Sequence, residues 1–231
     1  MSLYASTSPP AALSGSAFTV AGWFNVVNTA GSTDPILTIT LSSSRVAKLY
    51  YRPSPIGYDW ELYDGTNTDT QNAGTFSTGW KYFSFAWAAT SFRRTYNTST
   101  MSAQTSSATL TSGLSLLTLD YNSAVVAIDE LGVWDAWLNW KSDYTTLFNS
   151  GSGITHSGAS VFNDCIAYWK LDEATAATRA DSVGSWDLAD TAGNVSAYTG
   201  ILSNGALADG YVSGGGGAVR AAFAGFHGFA T

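Results

Sequence analysis

The chain has 231 residues and a formal net charge of −7; only 12% of its residues are charged, whereas 45% are hydrophobic. Its ten Lys and Arg residues do not cluster, which argues against nucleic-acid binding. No run of about 20 apolar residues is present that could cross a membrane as a helix. Cys165 is the single cysteine, so no intrachain disulfide can form. This composition predicts one large domain with a well-filled core and a surface rich in Ser, Thr, Asn and Gly, residues typical of strands and turns.

Short alternating segments dominate the first 134 residues. Residues 17–27 place Phe18, Val20, Gly22 and Phe24 on one face of a strand, and residues 80–88 alternate as strongly. Further strands are predicted over residues 35–41, 46–51, 58–63, 92–96, 107–119 and 124–134. Turn signals separate these strands every 8–12 residues, a spacing that favours an antiparallel sandwich or jelly roll.

The periodicity changes after residue 134. Five apolar residues recur at helical spacing and predict a short amphipathic helix over residues 137–148: Trp137, Trp140, Tyr144, Leu147 and Phe148. This helix should end in the glycine-containing stretch 149–153. Strand patterns resume at residues 166–171 and 200–212. Four consecutive glycines, 214–217, then form a flexible joint before an apolar tail over residues 218–231.

Three segments, taken in order, resemble laminin-G-like domains of the concanavalin A-like lectin and glucanase superfamily. They are residues 15–24 (GSAFTVAGWF), 79–87 (GWKYFSFAW) and 127–134 (AIDELGVW), the last followed by Leu147-Phe-Asn-Ser-Gly151. The resemblance implies an all-β fold, a two-sheet antiparallel jelly-roll sandwich with one short helix.

A further set of matches stands out of order. Residues 166–173 (IAYWKLDE), 179–185 (RADSVGS) and 200–207 (GILSNGAL) resemble the family's N-terminal part, which usually precedes the first segment above. We therefore expect residues 161–213 to complete the sandwich begun by residues 1–155, either in their own chain or by strand donation to a neighbouring subunit. A separate small sheet is the third possibility, although about 50 residues make a marginal core. Residues 1–213 would then form one domain, followed by the tail.

Catalytic residues are not predicted. The Glu-x-Asp-x-(x)-Glu run of concanavalin A-like glucanases is absent, and the pairs Asp129-Glu130 and Asp172-Glu173 are adjacent, which should send their side chains to opposite faces of a strand. The two histidines, 156 and 227, have no Cys partner at metal spacing, and Cys165 is expected to be buried filler. The chain is therefore predicted not to be an enzyme.

Calcium is the one cofactor that the resemblance suggests. Many members of the superfamily carry a calcium site, and the matching candidates here are Asp129 with Asp181, Asp187 and Asp190. The alternative is structural: Asp129 would bind backbone groups at a strand end, and the loop aspartates would form turns.

A sugar site is suggested by four aromatic residues on neighbouring strands. Tyr50, Tyr58, Trp60 and Tyr63 could together line an exposed concave face, since aromatic rings stack on sugars. The alternatives for this group are a second packed layer or an oligomer interface. By contrast, Trp23, Trp80, Trp87, Trp134 and Trp169 lie on motifs that the family uses for its core.

Two functions remain open. The first is a structural or assembly protein, such as a virion decoration, fibre or surface component, because similar shifted domains occur in phage and environmental bacterial surface proteins. The second is a carbohydrate-binding or adhesion module of a secreted or cell-surface protein. A homo-oligomer or larger assembly is expected, through strand completion or through docking of the tail by Phe223, Phe226 and Phe229, whereas glycan binding by a monomer would favour the second function. Residues 1–10 show no secretory signal, and a virion surface or the extracellular space is the expected location.

Overall fold

The computed structural model describes residues 2–5, 17–28, 33–42, 45–53, 56–75, 78–88, 91–97, 99–100, 103–108, 110, 116–120, 125–139, 141–173, 178–190, 195–202 and 204–208. The predicted tail over residues 218–231, with its three phenylalanines, lies outside these residues.

Strands make up most of the described chain. In chain order they are β1 (Ser2–Ala5), β2 (Ala17–Asn28), β3 (Asp34–Ser42), β4 (Arg45–Pro53), β5 (Ile56–Tyr63), β6 (Thr68–Thr75), β7 (Lys81–Ala88), β8 (Ser91–Tyr96), β9 (Ser99–Thr100), β10 (Gln104–Thr105), β11 (Leu116–Asp120), β12 (Val125–Trp134), β13 (Cys165–Trp169), β14 (Leu188–Asp190), β15 (Val195–Thr199) and β16 (Asn204–Ala208). The helix α1 (Asp143–Phe148) and 3-10 turns at Asn149–Gly151 and Ser160–Phe162 lie between β12 and β13.

The strands form two antiparallel sheets. A seven-stranded sheet has the order β14-β1-β11-β3-β4-β5-β6, and a nine-stranded sheet has the order β10-β8-β7-β2-β12-β16-β15, with β13 added to β12 and β9 to β8. The predicted two-sheet antiparallel sandwich with one short helix is confirmed.

Alternation along the strands builds the core between the sheets. Every second residue is buried in β4 from Ala47 to Tyr51 and in β5 from Tyr58 to Leu62, because successive side chains of a strand point to opposite faces. In β2 both faces are buried from Phe18 to Phe24. Large aromatic residues fill much of this core, among them Phe18, Trp60, Trp87, Trp169 and Trp186, each at most 2% exposed.

The strands after residue 161 join both sheets of the same chain. The outer edge of β12 is divided between two partners: Val126–Ile128 pairs with β16, and Leu131–Trp134 pairs with β13. In the other sheet, β14 pairs with β1. The cyclically shifted segments of the sequence therefore occupy sheet positions beside β12 and β1.

Residues 135–139 and 141–164, here called the cover segment, pack on the outer face of the nine-stranded sheet. The Thr19 hydroxyl donates to the carbonyl oxygen of Ala136 at 2.7 Å, and the Trp134 indole N–H donates to the carbonyl oxygen of Val161 at 2.7 Å. Phe148 stacks on Trp23 with ring centroids 5.6 Å apart. These contacts seal this face of the sheet with a second apolar layer.

The helix is shorter than predicted. It spans Asp143–Phe148 rather than residues 137–148, because Asn139 instead bonds the backbone N–H groups of Lys141 and Ser142 through its side-chain oxygen. Such local side-chain bonds compete with helix formation. Among the described residues, no helix is long and apolar enough to span a membrane.

Candidate functional site

A β-bulge in β12 brings two carboxyl groups to one side of the nine-stranded sheet. Asp129 pairs with Trp23 and Gly132 with Ala21, so Glu130 and Leu131 both lie opposite Gly22. Glu130 adopts a left-handed backbone conformation, with φ of 50°, as the extra residue of a bulge can. Gly22 makes room for it, since a Cβ there would lie 3.2 Å from the Cα of Leu131.

Asp129 and Glu130 consequently both face the cover segment. Asp129 lies opposite Trp23, which packs in the outer apolar layer, and Glu130 lines a small cavity beside Trp23 and Tyr168. The prediction that adjacent carboxyl groups point to opposite faces is therefore wrong for this pair, because the bulge breaks the two-residue period of the strand.

Glu130 is fastened to two other segments of the chain. It is 4% exposed, and its Oε2 lies at hydrogen-bond distance, 2.6 Å, from the Tyr168 hydroxyl oxygen. The same hydroxyl donates to the carbonyl oxygen of Ile154 in the cover segment at 3.0 Å. A phenol has only one proton to donate, so both contacts are hydrogen bonds only when Glu130 is itself protonated. Burial raises the pKa of Glu130 to about 7.

Asp129 ties a third segment to the bulge. Its Oδ2 accepts the backbone N–H of Ile201 at 2.7 Å, and its Oδ1 accepts that of Glu130 at 3.1 Å. Burial raises the pKa of Asp129 to about 8, although the backbone N–H groups of Ile201 and Leu202 act to lower it. The bulge thus joins β12, β13, the cover segment and the loop before β16.

Asp181 organises the turn that follows β13. Its Oδ1 accepts the backbone N–H groups of Tyr168 and Val183, each at 2.9 Å, and its Oδ2 accepts that of Trp186 at 3.1 Å. The Oδ1 of Asp187 accepts the backbone N–H of Asp181 at 2.9 Å. The carboxyl group of Asp181 therefore serves the backbone of a turn.

Two of the predicted calcium ligands are engaged by backbone N–H groups, and calcium binding stays a prediction. Calcium takes six to eight oxygen ligands, yet the carboxyl oxygens of Asp129 and Asp181 are already hydrogen-bonded to N–H donors. The described residues contain no group of three or more His, Cys, Asp or Glu side chains that could hold a metal ion. The side chain of Asp190 lies outside the described part of the chain.

The four aromatic residues predicted to form one sugar site are divided between two faces. Trp60 and Tyr58 are 0% and 1% exposed in the core, where Trp60 stacks on Phe85 with ring centroids 4.6 Å apart. Tyr50 and Tyr63 lie half-buried on the outer face of the seven-stranded sheet. The prediction is therefore wrong for Tyr58 and Trp60, because alternation along β5 turns them inward with Leu62.

The outer face of β4 and β5 carries a row of polar and aromatic side chains, here called the outer strip. Its members are Lys48, Tyr50, Arg52, Asp59, Glu61 and Tyr63.

Hydrogen bonds and ion pairs link most of the outer strip. Arg52 Nε lies 3.2 Å from Asp59 Oδ2, and Lys48 Nζ lies 4.0 Å from Glu61 Oε1. Lys48 Nζ donates to the Tyr50 hydroxyl oxygen at 3.2 Å, and that hydroxyl donates to Glu61 Oε1 at 3.4 Å. Asp59 and Glu61, two residues apart on one strand, share this face, an acidic pair that was not predicted.

The side chains of Cys165 and His156 both lie in packed, largely apolar surroundings. Burial raises the pKa of the Cys165 thiol to about 12, which leaves it protonated and unreactive at neutral pH. The His156 ring packs edge-on against Phe162 at 5.0 Å. His227 lies outside the described residues.

Known structures share this fold at low sequence identity. The native heptameric SAP-like pentraxin from Limulus polyphemus is 14% identical, with a TM-score of 0.50 over 72% of this chain and 83% of that chain. The binding domain of botulinum neurotoxin DC in complex with rat synaptotagmin II is 12% identical, with a TM-score of 0.50 over 60% of this chain. The match spans 36% of the toxin domain's chain.

These likenesses show the fold alone, an antiparallel jelly-roll sandwich. No family model matches the chain, and neither does any curated protein sequence. The laminin-G resemblance therefore stays a prediction within this broader class.

Proposed function

We propose that this protein is a non-enzymatic surface module that attaches to a partner through the outer strip. The observation that carries the proposal is that the outer face of one sheet is covered by other elements of the chain, whereas part of the outer face of the other sheet is not. The cover segment seals the nine-stranded sheet with aromatic packing, whereas the described helix and 3-10 turns leave β4 and β5 uncovered. A face that keeps tyrosines among charged side chains is suited to recognition.

A binding role agrees with the surroundings of the acidic residues. Glycoside hydrolysis needs two accessible carboxyl groups at one bond, and one of them must act as an acid. Asp129 and Glu130 are 0% and 4% exposed beneath the cover segment, out of reach of a polymer. The side chains of Asp59 and Glu61 are only partly exposed, and each faces a cation at ion-pair distance. This environment supports a structural role for both carboxylates, as ion-pair partners of Arg52 and Lys48.

The two similar solved structures support a role in binding a partner or in assembly. The toxin domain was solved in complex with rat synaptotagmin II, and the pentraxin is heptameric. For this chain we propose attachment at a virion or extracellular surface, with the tail over residues 218–231 as the segment that docks on an assembly partner.

A panel assay tests this function. Purified chain would be applied to immobilised dextran, cellulose, chitin, alginate and hyaluronan, and its self-association would be followed by light scattering. The Tyr50→Ala/Tyr63→Ala variant should reduce at least one of these interactions. Thr145→Ala, an exposed change on α1 at the opposite face, should reduce none. A wild-type chain that stays monomeric and binds no surface would overturn the proposal, as would release of reducing sugar ends.

A further inference from the structure

We infer that the partner of the outer strip is an uncharged glycan chain, with Tyr50 and Tyr63 as its two stacking rings. This inference rests on the proposed function and adds the chemical class of the ligand. It follows from the charge balance of the strip, from the spacing of the two tyrosines and from the hydroxyl groups on either side.

The charges of the outer strip cancel within the strip. Lys48 and Arg52 on β4 face Glu61 and Asp59 on β5, in the register that pairs Lys48 with Glu61. The strip therefore carries two cations and two anions and no net charge. A charged ligand would have to compete with these existing pairs, whereas an uncharged one meets both donors and acceptors without breaking them.

The two tyrosines lie on either side of the Lys48–Glu61 pair. Tyr63 is paired with Val46, and Tyr50 lies four residues further along β4. At about 3.3 Å per residue, the two rings are separated by about 13 Å along the strand direction. A ligand that contacts both rings must therefore be extended, and it must present flat apolar faces at intervals, as the C–H faces of sugar rings do.

Threonines flank the strip on both neighbouring strands. On one side Thr38 pairs with Lys48 and Thr40 with Val46. On the other side, Thr68 pairs with Tyr63 and Thr70 with Glu61. Since cross-strand partners share a face, these hydroxyls border the tyrosines and the ion pairs. Each hydroxyl is both a donor and an acceptor, which suits a ligand whose own polar groups are hydroxyls.

A second copy of the chain fits this face less well. Packing two such faces together would take both ion pairs of each copy out of water, and the desolvation cost of buried ion pairs can exceed the attraction between them. A glycan chain is narrower than a second sheet, and its hydroxyl groups can hydrogen-bond the charged groups that it covers while it stacks on the rings.

Binding measurements with uncharged and charged glycans test the inference. Calorimetry would compare soluble oligosaccharides of dextran, cellulose and chitin with those of alginate and hyaluronan, at low and high salt. We expect affinity for at least one uncharged series, little changed by salt, and a loss of about tenfold in Tyr50→Ala or Tyr63→Ala, the size typical of losing one stacked ring. Tyr50→Phe, which keeps the ring, should retain most of the affinity. Circular dichroism melting would show that each variant is folded.

Other outcomes separate this inference from the proposed function. Binding only to alginate or hyaluronan, weakened by salt, would overturn the uncharged class. The inference would also be overturned if no glycan binds and if self-association of the wild type is lost in both alanine variants. In that case the outer strip would still be a binding surface. If the alanine variants alter neither glycan binding nor self-association, both the inference and the proposed function fail.

Discussion

The side chains of Glu130 and Tyr168 share a hydrogen bond of 2.6 Å that fastens the bulge of β12 to β13. The Tyr168 hydroxyl also reaches the carbonyl oxygen of Ile154 at 3.0 Å. Two hydrogen bonds in series need two protons, one on Tyr168 and one on Glu130. Attachment of the cover segment to the sheet is therefore linked to the protonation of a buried carboxyl group.

This linkage predicts how stability depends on pH. The folded-state pKa of Glu130 is about 7, above the 4.5 of an ordinary glutamate, so folding favours the protonated form. The stabilisation is fully present below about pH 4 and is lost as pH rises from there to about 7. Asp129, with a pKa of about 8, acts in the same direction up to that pH.

Glu130→Gln should remove the contribution of Glu130 to this dependence. The glutamine side chain can donate to Tyr168 at every pH, as the protonated carboxyl does. In urea unfolding at pH 8, we expect the variant to be more stable than the wild type, by on the order of 3 kcal/mol from the pKa difference. At pH 4 the two proteins should be about equally stable, which is the internal control. A variant less stable than wild type at pH 8 would contradict the proton chain.

Asp181→Ala should destabilise the fold strongly. The change leaves three backbone N–H groups, those of Tyr168, Val183 and Trp186, without their acceptor. Each buried donor left unsatisfied costs about 1–3 kcal/mol. Asp64→Ala is the matched control, since Asp64 also accepts two backbone N–H groups, from Thr66 and Asn67, but in an exposed turn. Thermal melting should show a much larger loss for Asp181→Ala, and equal losses would disprove this role.

Much of the fold could be predicted from the sequence, because alternation follows directly from strand geometry and several segments resemble those of laminin-G-like domains. The bulge could not, because a two-residue period assumes regular pairing and the displaced residue, Glu130, is not a glycine. The one feature of the sequence that is consistent with a bulge here is Gly22 on the partner strand, which leaves room for the extra residue. The inward placement of Tyr58 and Trp60 was predictable from the polar residues between them, Asp59 and Glu61.

Calcium should have no effect on stability. The carboxyl oxygens of Asp129 and Asp181 already accept backbone N–H groups, which a cation would have to displace. Melting temperatures measured with chelator and with millimolar calcium should therefore coincide. A rise in melting temperature with calcium, absent in Asp129→Asn, would show that a site exists after all.

A fragment of residues 1–155 should not fold alone. Without β13 and β16, the outer edge of β12 loses its partners, and without β14 so does one edge of β1. Trp169, Trp186 and Leu188 would also be missing from the core. Expression of the fragment should give insoluble or unfolded protein, and co-expression with residues 156–231 should restore solubility. Cooperative melting of the fragment by itself would contradict this account.

The most direct test of the outer strip as the binding surface is a map of where a glycan touches the protein. Isotope-labelled chain would be titrated with the uncharged oligosaccharide that binds best in calorimetry, and backbone amide shifts would be followed by NMR. The account predicts shifts concentrated in β4 and β5, around Tyr50 and Tyr63, with α1 and the rest of the cover segment unchanged. Shifts confined to the cover segment, or to the turn around Asp181, would contradict it.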